Sequence, residues 1–383
     1  MKRYNDMGNT VSFHKRRIPS IARASALLFG IALFTFAPIA LAQTAPQALM
    51  GTSATGIPHA LLYITNSAAG IASLRAHIDS MDIIAPQTYA ATALGKLLGK
   101  PNAEILKLAR DAGARVMPLV VNQNFSQKGI HDLLEDDAAQ NTLIAALINE
   151  AKLRGYIGYQ YDFEHMQASD RDLYSVFVAK SVPYFHNAGL QLSVAVAPLH
   201  SDLAIDYGAG SWQNWTGAFD YRALGKSADF VSVMAYDDSK SVGPVASIPW
   251  VEDVVSYTLA RIPASKVSLG IPFYAWVWSA KTNTRTDIRG YPSVGALLQS
   301  KTYLKKGFSD TLGVPYVTYY KGGQKYTAWY EDQQSFQKKL SLVTDNHLAG
   351  FSAWAVGLED PKVWDVMLAM RAPQYGLALA PGQ

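Results

Sequence analysis

The chain has 383 residues, 49% of them hydrophobic, enough for a large core in one or two domains. It contains no cysteine, which excludes disulfides, thiolate metal sites, a cysteine nucleophile and a lipidated-cysteine anchor. The formal charge of +4 rests on the first 42 residues, which hold six of the 34 basic and one of the 30 acidic residues; the remainder sits at −1, so charge gives no argument for a nucleic-acid partner.

Lys15, Arg16, Arg17 and Arg23 precede the apolar run 26–36, and Ala40-Leu41-Ala42 fits the small-x-small rule, so residues 1–42 read as a signal peptide cut before Gln43. The run is too short for a good membrane span. A periplasmic or secreted protein, with no stable span after cleavage, is expected. Residues 43–57, rich in Ala, Gln, Thr, Pro and Gly, read as a flexible lead-in to a domain over 58–372, with a tail at 373–383.

Within that domain strand-like and helical runs alternate. Strands are predicted at 59–65, 81–89, 115–122, 155–164, 190–198, 228–237, 266–274 and 348–355. Helices are predicted at 69–79, at 92–112, over the segment carrying Leu143, Ile144, Leu147, Ile148 and Ala151 and capped by Gly155, and from a cap at Ser169 to Asn187. Eight strands separated by helices predict an α/β fold, a (β/α)8 TIM barrel. A doubly wound open sheet is the alternative, but no glycine-rich phosphate turn follows the first strand. Residues 279–345 are too long for a simple crossover. Their runs 316–320 and 326–330, separated by Lys321-Gly-Gly-Gln-Lys325, predict a hairpin within a small α+β insertion forming one cleft wall, and a helix from Asp332 returns the chain to the barrel.

The segment 155–164, GYIGYQYDFE, carries the chemistry. Strand alternation puts Tyr159, Tyr161 and Phe163 on one face and Gln160, Asp162 and Glu164 on the other. Packing helices would cover the aromatic face. Two carboxylates two residues apart are costly to bury unless paired, hydrogen-bonded or used in catalysis, so a pair of salt bridges at a strand end is the plain alternative to a site.

This segment resembles the fourth-strand signature of glycoside hydrolase family 18, Asp-x-x-Asp-x-Asp-x-Glu. Met234-Ala-Tyr236-Asp237 resembles the family's sixth-strand Met-x-Tyr-Asp, Gly270-Ile-Pro-Phe-Tyr274 its seventh strand and Gly350-Phe-Ser-Ala-Trp354 its eighth. Trp354-Ala-Val-Gly-Leu-Glu-Asp360 is most similar to the branch of spore-cortex and cell-wall N-acetylglucosaminidases. The resemblance covers about residues 58–370. It implies that Glu164 is the catalytic acid, that Asp162 orients the substrate's 2-acetamido group, that Tyr236 and Asp237 hold that group, and that Trp354 floors the sugar; Gln160, Met234 and Tyr274 are expected beside it. No enzymic nucleophile is needed, because in this family the acetamido oxygen attacks. Ile157 and Gln160 stand where the signature has aspartates. Gln160 can still hydrogen-bond Asp162, so altered pH dependence is expected rather than loss of function.

Tyr89 and Asn122, at the ends of the second and third strands, are expected sugar contacts by position. Trp212, Trp215, Trp276 and Trp278 are candidates for sugar stacking, against ordinary packing. His165 has no second histidine at metal spacing, and Ser232 and Ser352 lack a nucleophile-elbow context, so neither a metal nor a serine hydrolase is expected, and no cofactor. The reading is an exported, monomeric, retaining glycosidase acting on peptidoglycan or chitin. A non-catalytic carbohydrate-binding barrel is the alternative; such lectins usually lack the glutamate that Glu164 matches.

Overall fold

A computed structural model describes residues 59–371. The expected leader, lead-in and tail lie outside the described residues. β1 (His59–Ile64), β2 (Ile83–Ala91), β3 (Leu119–Asn122), β4 (Gly158–Asp162), β5 (Gln191–Val196), β6 (Val231–Val233) and β7 (Val267–Pro272) run parallel around a ring. Five antiparallel strands follow: β8 (Tyr274–Ser279), β9 (Thr284–Gly290), β10 (Tyr303–Ser309), β11 (Val314–Lys321) and β12 (Gln324–Trp329). β13 (Gly350–Trp354) then pairs with both β7 and β1, and β1 with β2, so the ring closes and leaves no free edge. This is the predicted (β/α)8 barrel.

Helices α1 (Ala68–His77), α2 (Ala103–Asp111), α3 (Gln127–Glu135), α4 (Asp137–Arg154), α5 (Arg171–Asn187), α6 (Tyr221–Ser227) and α7 (Ile248–Leu259) surround the ring. The delivery of β4 shows the local logic. α4 buries Leu143, Ile144, Leu147 and Ala151, and Gly155 ends it in the left-handed region at φ 73°, turning the chain into the strand. Outside the ring, Tyr161 stacks on Phe177 of α5 at 5.3 Å and Phe163 at 5.2 Å, while Tyr159 meets Phe185 edge-on. The aromatic face is thus buried, and the opposite face is forced into the barrel mouth.

Two expectations need correction. Residues 92–112 are helical only over α2, because Gly99 (φ 120°) and Pro101 interrupt the run and Asn102 caps the shorter helix by accepting from the Glu104 and Ile105 N–H groups. Leu97–Leu98 instead pairs antiparallel with Ala90–Ala91 of β2. Ser169, the expected cap of α5, lies in a 3₁₀ turn before it, and its hydroxyl donates to Gln167 Oε1.

The insertion begins at β8, five residues earlier than predicted, and includes the predicted hairpin as β11–β12. Helix α8 (Tyr291–Ser300) covers one face of its sheet, packing Val294, Leu297 and Leu298 on Val277, Val317 and Ala328. That leaves Trp276 and Trp278 on the other face. Asp332 caps α9 (Gln333–Asp345) through a reciprocal bond pair with Ser335, and α10 (Val363–Arg371) ends the described chain.

Candidate active site

At the carboxyl ends of the strands a cavity of about 290 Å³ is lined by Asp162, Glu164, Met234, Tyr236, Asp237, Tyr274 and Trp354. The motif residues, scattered over four strand ends in sequence, meet there. A second lobe of about 620 Å³ shares Glu164, Trp215 and Asp237 with the first and runs along the insertion past Trp276, Trp278 and Arg285.

Glu164 is fixed through its backbone. Asn122 at the end of β3 accepts from the Glu164 N–H at 3.0 Å and donates from Nδ2 to the Glu164 carbonyl at 3.0 Å. Asn122 is itself buried and absent from the cavity lining, so its role here is to position Glu164 rather than to meet a sugar. Across the cavity the Tyr274 hydroxyl donates to Asp237 Oδ1 at 2.7 Å.

Burial is the main cause of a raised pKa at Asp162, Glu164 and Asp237 alike. At Glu164 the charges of Asp162 and Asp237 push further in the same direction. The Tyr274 hydroxyl and the Arg285 charge hold Asp237 back. Asp162 Oδ1 is buried without a hydrogen-bond partner, and among the described residues neither Asp162 nor Glu164 forms a salt bridge. The salt-bridge alternative therefore finds no cation. What remains is a desolvated pair of carboxyls that holds protons above the usual carboxylate range, at the floor of an open cavity.

Gln160 departs from expectation. Its Oε1 accepts from Tyr63 at 2.6 Å, and its Nε2 donates to Ser193 Oγ at 3.1 Å and Ser232 Oγ at 2.9 Å. Both of its N–H donors and one of its two acceptor positions are used inside the barrel, and it neither bonds Asp162 nor lines the cavity. Ser232, rejected above as a nucleophile, is one of its supports.

Tyr89 is a second correction. A register shift between Gln87 and Tyr89 interrupts the alternation of β2, so Gln87 lines the cavity while Tyr89 turns outward. There its hydroxyl donates to Glu150 at 2.9 Å and lies 3.0 Å from that of Tyr156. Among the tryptophans, Trp215, Trp276 and Trp278 line the cleft, whereas Trp212 packs on Tyr207 at 5.4 Å. Tyr63, Gln87, Phe125 and Arg285 line the site without having been predicted. Tyr63, near the end of β1, could have been found by extending the strand-end rule; for Arg285 the sequence holds no such signal.

The model of the family described as glycosyl hydrolases family 18 matches residues 56–359. The chain belongs to that family. The cortical fragment-lytic enzyme of Bacillus subtilis (strain 168) is 29% identical over 286 residues, 72% of this chain and 65% of that protein, so the chain spans just under two thirds of that relative. A chitinase from Chromobacterium violaceum ATCC 12472 superposes with a TM-score of 0.73 at 27% identity, covering 82% of this chain and 99% of the other. The spore cortex-lytic enzyme SleL of Bacillus megaterium QM B1551 gives 0.72 at 23% identity, covering 81% and 73%, a likeness of fold. For this family 18 chain, the predicted motif positions and the cavity coincide at Asp162, Glu164, Tyr236, Asp237 and Trp354.

Proposed function

We propose that this family 18 glycosidase is an exported, retaining enzyme that cleaves β-1,4 bonds beside N-acetylglucosamine by substrate assistance. The observation that carries the proposal is the desolvated Asp162–Glu164 pair with Asp237 in one cavity above Trp354, without a neutralising ion pair. Glu164, kept protonated by its surroundings, donates its proton to the bridging oxygen as the glycosidic bond breaks. The sugar's own acetamido oxygen closes on the anomeric carbon from the opposite face, giving a cyclic oxazolinium. Asp162, in its ionised form, accepts a hydrogen bond from the acetamido N–H on its unpartnered oxygen and balances the charge that develops there, leaving Glu164 as the member of the pair that carries the proton. Tyr236 and Asp237 hold the same group, and Trp354 stacks beneath the ring. Glu164, now ionised, takes a proton from water as it opens the oxazolinium, and the starting configuration is restored.

Family 18 membership supports an N-acetylglucosamine-containing glycan as substrate. Likeness to the cortical fragment-lytic enzyme favours peptidoglycan over chitin. The signal-like leader supports release to the periplasm or medium after cleavage between Ala42 and Gln43.

The mature chain should release soluble fragments from peptidoglycan or chitin oligosaccharides, with the β anomer appearing first by proton NMR. Glu164→Gln should release none while retaining a wild-type circular dichroism spectrum. Binding of glycan by the wild type with no bond cleavage would replace the enzyme with a carbohydrate-binding barrel.

A further inference from the structure

The second lobe of the cleft contains a cation that the proposed reaction does not use. Trp276 and Trp278 of β8 face this lobe, and the paired strand β9 carries a bulge opposite Val277 and Trp278. Without the bulge, residues 284, 286 and 288 would share one face. With it, Arg285 falls opposite Trp278 and joins Ile288 on the cleft side, while the Thr286 hydroxyl donates back to the Val277 carbonyl. The Arg285 guanidinium lies 4.3 Å from the centre of the Trp276 ring. Stacking of this kind holds the plane of the group and leaves its N–H edge free for a bidentate acceptor.

Arg289 on the same strand provides the contrast. It points to the opposite face, where its Nε donates to Asp287 at 2.7 Å. Among the described residues Arg285 forms no salt bridge, is exposed, and is the single lysine or arginine lining either lobe. A guanidinium that is pre-oriented, solvated and unpaired in a substrate cleft is arranged for an anion that arrives with the substrate.

We infer that Arg285, oriented by Trp276, is a specificity-determining residue that binds a carboxylate on the sugar next to the one held over Trp354. The preferred substrate is then an acidic N-acetylated glycan bearing lactyl or peptide carboxylates, rather than neutral chitin. This rests on the glycosidase reading above and chooses between its two polymers.

The test compares kcat/KM of the mature enzyme on glycans of equal length: a chitin oligosaccharide, a peptide-free peptidoglycan strand with free lactyl carboxylates, the same strand with its peptides, and the strand with its carboxylates reduced to alcohols. Arg285→Gln should lower the ratio of carboxylate-bearing to neutral rates on the order of tenfold or more. Arg285→Lys, which keeps the charge but loses the planar fork, should fall between, and the carboxyl-reduced strand should behave like chitin. Sensitivity confined to the peptide-bearing strand supports the inference and assigns the carboxylate to the peptide. An equal fall on every glycan would overturn it, leaving Arg285 as a neighbour that tunes Asp237. Wild-type enzyme that cleaves none of the four would instead overturn the underlying glycosidic reading.

Discussion

Glu164 and Asp162 differ from surface carboxyls in one respect, the loss of water without the gain of a cation. The sign of the consequence is fixed by linkage. Their folded-state pKa values lie above the unfolded ones, so the stability they contribute is complete below the unfolded carboxylate pKa and is lost as pH rises through the folded pKa. Glu164→Gln should therefore melt higher than wild type at neutral and alkaline pH, with the gain closing below about pH 4, near the unfolded carboxylate pKa. Thermal unfolding across that range checks it, and equal melting temperatures at every pH would deny the buried acid. The same shift predicts a kcat/KM profile whose alkaline limb lies well above the usual carboxylate range. Asn122 acts one step back. Asn122→Ala should reduce kcat on the order of 10²-fold with a smaller change in KM, because a small misplacement of Glu164 is enough. At this scale the sequence was readable where alternation held, as at Asp162 and Glu164. It misled where a register shift reversed a strand, as at Tyr89, and where buried hydroxyls from three other strands claimed Gln160.

β4 and its covering helix form the element on which the site depends. Phe163, fully buried and stacked on Tyr161, belongs to the wall that turns Glu164 inward. Phe163→Ala should cost ~3–5 kcal/mol by chemical denaturation. The return from the insertion offers an independent case. Lys339 on α9 donates to both carboxylate oxygens of Glu331 at 2.9 Å, with both side chains buried. Lys339→Met alone should cost ~3–5 kcal/mol by stranding the Glu331 charge, and adding Glu331→Gln should recover much of the loss in a double-mutant cycle. Both elements were anticipated by periodicity and capping residues. This ion pair was not, because a lysine eight residues after a glutamate carries no sign of burial. The late start of α2 was legible in Gly99, Pro101 and Asn102, which favour a turn and a cap over a helix running on from residue 92.

For the whole molecule, the alternation of strands and helices fits a closed barrel or an open doubly wound sheet, and the lack of a glycine-rich phosphate turn after the first strand turned the reading to the barrel, whose closure β13 completes. The fold was legible for that reason. The cleft was only half legible, because its second lobe depends on which way an inserted sheet faces, and that was decided by a bulge and by α8. Export is tested at this scale by the mass of the released protein, expected to begin at Gln43. The central claim is that Glu164 supplies a proton while the substrate supplies the attacking group. The most direct measurement is the initial cleavage rate of an N-acetylglucosamine oligosaccharide against its de-N-acetylated counterpart of equal length. Cleavage of the acetylated glycan alone is predicted; comparable turnover of the free amine would contradict the account, because that sugar has no amide oxygen with which to attack.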